Sequence, residues 1–165
     1  MKTTERLIVT TPSDREIMMA RTFDAPRHLV WEAMTKPEFI KRWLYLPDGW
    51  SMVSCEHDVR VGGTFRWACA GPDGNTAMVM HGVHRDVVVP ERIVRTETFE
   101  FGCPSQSGEQ LVTMILSDMG NRTKVAFTAV YPSTEARDGA LASGMEHGVS
   151  VGYDQLDELL AEAKR

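Results

Sequence analysis

This sequence predicts an α+β fold, a curved antiparallel sheet closed over a long C-terminal helix. Three observations carry that expectation. From Trp50 to Tyr131, β-branched and aromatic runs are broken by turn clusters at short intervals, which reads as consecutive strands joined by tight links. After Ser133, apolar residues recur at helical spacing to the end of the chain. Between a first strand and the strand run lie two short helical patterns. Short links favour an antiparallel meander. Helices segregated to one side of such a sheet make an α+β architecture, and a long amphipathic helix buries its apolar face by lying across the concave side.

The partly alternating run Arg15–Phe23 forms the first strand, and Leu7–Thr10 is either an earlier extension of it or an extra strand, with Pro12 interrupting the pairing. Asp24 offers an N-cap and Pro26 a first turn to a helix carrying Leu29, Val30, Ala33 and Met34. Thr35 and Glu38 fit a capping box around Pro37, opening a second short helix through Phe39, Ile40, Trp43 and Leu44. Pro47-Asp48-Gly49 ends it as a turn. Strands follow near 50–57, 64–70, 76–88, 92–101, 110–118 and 122–131, separated by clusters such as Val61-Gly62-Gly63, Gly71 to Asn75 and Gly102 to Gly108. Ser133 caps the last segment, with Glu135 in its first turn.

That last segment carries glycine at every fourth position: Gly144, Gly148 and Gly152. Each costs about 0.8–1.0 kcal/mol of helix propensity relative to alanine, so something must compensate. At about 100° per residue, Leu141, Met145, Val149, Tyr153, Leu156, Leu159 and Leu160 share one arc and the glycines form its edge. Glu146, His147, Ser150, Asp154, Asp157 and Glu158 lie opposite. Bare backbone nestling against the strands is the expected compensation.

With 165 residues the chain is read as one domain, its core spanning about residues 15–163 and residues 1–14 forming the extension. The composition, 42% hydrophobic and 25% charged, is that of a globular domain. A net charge of −5 with both signs interspersed argues against a nucleic-acid surface. No eighteen-residue apolar stretch or charged-then-apolar leader occurs, so a membrane span and a signal peptide are not expected. Cys55, Cys69 and Cys103 are odd in number and lack zinc-site spacing, which reads as reduced thiols in a cytoplasmic protein. Ten methionines hint at an adaptable apolar cavity.

Several motifs, in this order along the chain, resemble one known family. They are Phe23-Asp24-Ala25-Pro26, Val30-Trp31, Thr35 with Pro37-Glu38, Trp43, Asp58 to Gly63 with Phe65-Arg66, Pro90-Glu91-Arg92-Ile93, Thr123, and Gly144-Met145 with Gly148. The sequence is similar to the START-like, helix-grip (SRPBCC) superfamily, and within it to the activator of heat-shock-protein-90 ATPase homologue-like branch. The resemblance implies a helix-grip fold: a curved antiparallel sheet of about six to seven strands gripping the C-terminal helix, with two short helices after the first strand and an apolar cavity between sheet and helix. Members of the superfamily include lipid and polyketide binders, some cyclases and hydrolases, and a co-chaperone domain.

No catalytic motif is present: there is no serine in a G-x-S-x-G setting and no Walker or Rossmann glycine pattern. No metal site or cofactor is expected, because His81 and His84, three apart on a strand, point to opposite faces. Glu56-His57-Asp58 reads as a solvated strand end or a family-specific turn and His147 as a surface residue, and Val61-Gly62-Gly63 as a structural turn in which one glycine takes positive φ or permits a bulge. The candidate ligand-binding set is Trp43, Trp67, Met80, Glu97, Phe99, Met114, Met145, Val149 and Tyr153. Arg95 and Thr113 are further candidate polar anchors.

The leading expectation is a small-molecule binding protein that holds an apolar or aromatic ligand between sheet and C-terminal helix. One alternative is an enzyme of the same fold acting on a small hydrophobic substrate, with Glu97 or His81 as the first suspects for acid–base work. The other is a co-chaperone or stress-response interaction domain, which needs an exposed apolar patch. A homodimer and a chaperone partner are left open.

Overall fold

Alternation in the strand run becomes one eight-stranded antiparallel sheet. A computed structural model of the chain describes residues 6–100 and 108–163. The elements are β1 (Ile8–Thr10), β2 (Glu16–Phe23), α1 (Arg27–Thr35), α2 (Pro37–Trp43), β3 (Ser51–His57), β4 (Thr64–Ala70), β5 (Thr76–Val88), β6 (Arg92–Glu100), β7 (Glu109–Asp118), β8 (Thr123–Val130), α3 (Thr134–Ala142) and α4 (Met145–Ala163). The order across the sheet is β1-β2-β8-β7-β6-β5-β4-β3. Consecutive strands β3 to β8 are hairpin neighbours, and β2 closes onto β8 with Glu16 opposite Val130 and Phe23 opposite Thr123.

Eight strands exceed the six to seven expected. Leu7–Thr10 does not extend the first strand. Its residues Ile8–Thr10 fold back as a separate edge strand, with Ile8 opposite Ala20. The turn expected at Gly102 to Gly108, the last residue of the strand expected over 92–101, and Cys103 lie outside the described residues, apart from Gly108 itself.

The helix caps differ from expectation. Asp24 does not cap α1: Pro26 takes the N-cap in extended conformation, and its carbonyl accepts the Leu29 and Val30 N–H groups. The Thr35–Glu38 capping box does not form either. Thr35 still belongs to α1, and its hydroxyl donates to the Trp31 carbonyl at 2.7 Å. Lys36 instead serves as the C-cap of α1 and the N-cap of α2, with Pro37 in the first turn. Ser133 caps α3 as expected, its Oγ accepting from Ala136 N at 3.0 Å.

The C-terminal segment is two helices, not one. Gly144 has φ +87°, a left-handed backbone that ends α3 before α4 begins at Met145. The break resets the helical phase. Leu141, aligned with Met145 on an unbroken helix, is therefore exposed, while Ala140 is buried.

The two remaining glycines compensate differently. A Cβ on Gly152 would lie 3.3 Å from the Trp43 carbonyl oxygen and 3.4 Å from Tyr45 N. One on Gly148 would meet only the Tyr45 ring, at 3.4 Å. The close approach is therefore to the end of α2 and the chain that follows it, not to the strands. Beyond it, α4 buries Tyr153, Leu156, Leu159 and Leu160 against Phe23, Val30, Trp31, Ile93, Leu116 and Val125. Arg21, almost wholly buried on β2, pairs with Asp154 at 3.1 Å and Asp157 at 3.7 Å, tying α4 to the sheet.

Candidate functional site

Toward its N-terminal end α4 leaves the sheet uncovered, and a cavity of about 310 Å³ lies between them. The pleat of β6 decides what it meets. Ile93, Arg95, Glu97 and Phe99 alternate onto one face and all four line the space. Opposite them, β7 contributes Gln110, Val112 and Met114, and β8 with the residue after it contributes Phe127, Ala129 and Tyr131. From β4 come Trp67 and Cys69, and from β5 Met78 and Met80. The helical side is Met34, Trp43, Leu44, Tyr45, Met145, Gly148, Val149, Gly152 and Tyr153, with Ala140 of α3.

All nine residues of the candidate set, Trp43, Trp67, Met80, Glu97, Phe99, Met114, Met145, Val149 and Tyr153, fall on this wall. Thr113 does not: its neighbours Val112 and Met114 point inward, so the pleat turns Thr113 to the other face. Half of the ten methionines line the space, namely Met34, Met78, Met80, Met114 and Met145.

The polar part of the wall is one connected chain. Arg95 donates from Nε to Glu97 Oε2 at 2.9 Å, and its Nη2 lies 2.9 Å from the same oxygen. Gln110, directly opposite Glu97 in the β6–β7 register, donates to Glu97 Oε1 at 3.0 Å. The Arg95 guanidinium stacks over the Phe65 ring at 4.4 Å and near Trp67 at 5.2 Å. Gly82 makes this crossing feasible. A Cβ there would overlap the Thr96 carbonyl and sit 2.8 Å from the Phe65 ring, so only glycine lets Phe65 of β4 lie over β5. Across that ring Arg95 of β6 reaches His57 of β3, with Nη1 3.4 Å from Nε2.

His57 is not the solvated strand end that was expected. Its Nδ1 lies 2.9 Å from the Thr35 carbonyl oxygen, which can only accept, so Nδ1 carries the hydrogen. Nε2 is then free to accept from Arg95. Burial, reinforced by the Arg95 charge and by His84, lowers its pKa to about 3, which keeps the ring neutral. His84, wholly buried 5.0 Å from His57 between ring centroids, is lowered to about 4 by burial and by Arg95. Neither of its ring nitrogens has a hydrogen-bond partner. Its backbone bonds to Gly62 and Gly63, so the expected structural turn holds this corner, with Gly62 at φ +82°.

The two phenols at the cavity are also neutral. Burial, with the Glu97 charge adding to it, raises Tyr131 to about 12. Burial raises Tyr153 beyond the usual phenol range. Tyr131 points its hydroxyl at Met145 Sδ, 3.7 Å away, and Tyr153 packs edge-on against Phe23 at 5.2 Å.

His81 lies away from this group, with Nε2 3.2 Å from Glu100 Oε1 on the other face of the sheet. His147 is exposed, edge-on to Tyr45 at 5.4 Å. Glu97 and His81 therefore do not converge, and both Glu97 oxygens are engaged by Arg95 and Gln110. Among the described residues no group of three or more His, Cys, Asp or Glu side chains is placed to hold a metal ion. No helix among the described residues is long and apolar enough to cross a membrane.

Residue reading alone missed Gln110, Tyr131, Phe127, Cys69 and His57. The first could have been found from β6, because a polar residue opposite Glu97 on the neighbouring strand is the natural partner for it.

This arrangement has relatives. The family model described as Activator of Hsp90 ATPase homolog 1-like protein matches residues 24–161. The chain belongs to that family. Among solved structures it is similar to a protein from Rhodobacter sphaeroides, with 30% identity and a TM-score of 0.87 over 95% of this chain and 99% of that one. A Nitrosomonas europaea protein is 25% identical, with a TM-score of 0.78 over 93% and 99% of the two chains. A Mycobacterium smegmatis protein shares the fold at 21% identity and a TM-score of 0.80, over 94% and 97%. No curated protein matches the sequence.

Proposed function

We propose that this protein binds a small apolar or aromatic molecule in the space between its sheet and α4. The observation that carries the reading is a cavity of about 310 Å³ walled by methionine, aromatic and aliphatic side chains with one fixed polar cluster, Arg95–Glu97–Gln110. That volume lies at the small end of the roughly 300–1,000 Å³ typical of ligand sites, and an apolar wall with few oriented polar groups is their usual composition. Each buried methylene of a ligand contributes about 0.8 kcal/mol, and the polar cluster sets orientation. Methionine side chains adapt to an aromatic guest through sulfur–ring contacts.

The test is a filled cavity. Val149→Trp places an indole into the space from α4. With 2-naphthol as probe, calorimetry on the native chain should give saturable one-to-one binding, and the variant should lose it while keeping its circular dichroism spectrum. Undiminished binding to a folded Val149→Trp protein would place the probe elsewhere and end this reading. Native mass spectrometry of protein purified from its own host, searched for a retained small molecule, addresses the natural ligand.

A further inference from the structure

We propose that the site selects uncharged ligands, an apolar or aromatic skeleton bearing a hydroxyl or carbonyl, and rejects both carboxylates and amines. This inference rests on the binding reading above and names the ligand class of the same cavity.

The charge in this wall is already paired. Of the described side chains lining the cavity, only Arg95 and Glu97 are charged, and they neutralise each other at 2.9 Å. Neither is available to a ligand ion. The second Glu97 oxygen is taken by Gln110 at 3.0 Å. The guanidinium is fixed by the Phe65 and Trp67 rings on its face and by His57 at its far end. The pair is itself mostly buried, with side-chain exposure of 14% for Arg95 and 10% for Glu97. Swinging Arg95 out to meet a carboxylate would strand Glu97 in an apolar wall, and freeing Glu97 for an amine would strand Arg95. Either exchange leaves one buried charge without its partner, which is the costly case.

The neighbouring titratable groups add no compensating charge. His57 and His84 are held neutral by burial beside a cation, and the phenols of Tyr131 and Tyr153 stay protonated. A ligand ion would therefore enter a net-neutral, low-dielectric space and find no free counter-ion in this wall. A neutral hydroxyl or carbonyl avoids that cost, because it can join the Arg95–Glu97–Gln110 cluster by hydrogen bonding without breaking an ion pair.

Three probes of one skeleton test it: 2-naphthol, 2-naphthoate and 2-naphthylmethylamine, titrated calorimetrically at neutral pH. On the native chain 2-naphthol should bind at least about tenfold more tightly than either ion. Glu97→Gln keeps the shape of the side chain but leaves Arg95 unneutralised, so 2-naphthoate should gain at least about tenfold relative to 2-naphthol. Arg95→Gln should shift preference toward the amine. Equal or tighter binding of 2-naphthoate or the amine to the native chain would overturn neutral selection while leaving the binding reading intact. A folded Glu97→Gln protein with an unchanged naphthoate-to-naphthol ratio would overturn it as well. If none of the three probes binds the native chain, the binding reading falls and this inference with it. The native-chain comparison decides the matter even if the variants fail to fold.

Discussion

The two halves of α4 do opposite things with the same helical face. From Tyr153, whose side chain also reaches the cavity wall, the face closes: Tyr153, Leu156, Leu159 and Leu160 pack with Phe23, Trp31 and Val125 in one core. Before Tyr153 it is open, and Met145, Gly148, Val149 and Gly152 stand over the cavity. Side-chain size does not explain the difference, since Met145 is as long as Leu156. What each half faces does: the closed half meets Phe23, Trp31 and Val125, and the open half meets the cavity. Gly152 brings the backbone of α4 against Trp43 and Tyr45 at the end of α2, and the open half begins at that contact. One half spends its apolar surface on stability, and the other leaves it for a guest.

Truncating one residue in each half should separate them most strongly. Leu156→Ala deletes fully buried atoms and should cost about 2–5 kcal/mol in denaturant unfolding. Val149→Ala only enlarges an existing space and should cost less than about 1 kcal/mol, with a measurable loss of 2-naphthol affinity. Equal costs at the two positions would mean that the halves are packed alike.

A second effect comes from pH and belongs to the cavity end. In the unfolded chain His57 and His84 titrate near 6.5, while folding lowers them to about 3 and about 4. Between those values the unfolded state holds more protons, so stability should be full above about pH 7. It should fall as pH drops below about 6.5, by up to about 1.4 kcal/mol per pH unit for each proton taken up. Melting curves from pH 7.5 to 4.5 measure the slope. A His57→Gln variant should flatten it, and an unchanged slope in that variant would exclude His57 as a source.

Most pointed about the helix are the glycines. Gly152→Leu must push against the backbone of Trp43 and Tyr45 and should cost about 1–3 kcal/mol. Gly148→Ala meets only the edge of the Tyr45 ring, at ordinary contact distance, and should gain about 0.5–1 kcal/mol from propensity. Paired thermal melts would show the opposite signs. A gain at both positions would mean that α4 is free to shift on α2.

Much of the architecture was legible because it is written locally. Turn clusters delimited the strands of the meander to within a residue or two, since each break is made by glycine, proline or asparagine chemistry in place. The inward set was legible for a related reason: Glu97 and Phe99, two apart, must share a face. What failed was decided by tertiary contact or by competition between neighbours. Gly144 reads as mid-helix until its positive φ reveals a helix end, and the phase of Leu141 fails with it. Thr35 has capping chemistry, but the Trp31 carbonyl claims its hydroxyl first. His57 looked solvated because its partners, Thr35 and Arg95, come from remote segments that only the bent sheet brings together.

The pairing of β2 with β8 also sets a timetable for the chain. During synthesis β2 emerges early, with Ile17, Met19 and Phe23 ready for burial, yet its partner strand is among the last parts made. Strands β3 to β8 can zip in succession as neighbouring hairpins, each closing a short loop. The β2–β8 ladder must instead close the long loop between Phe23 and Thr123, together with the bond from Thr123 Oγ1 to the Ala25 carbonyl at 2.8 Å. Docking of β2 therefore carries the longest loop closure in the sheet. Until it occurs, the closed half of α4 has no Phe23 to pack against.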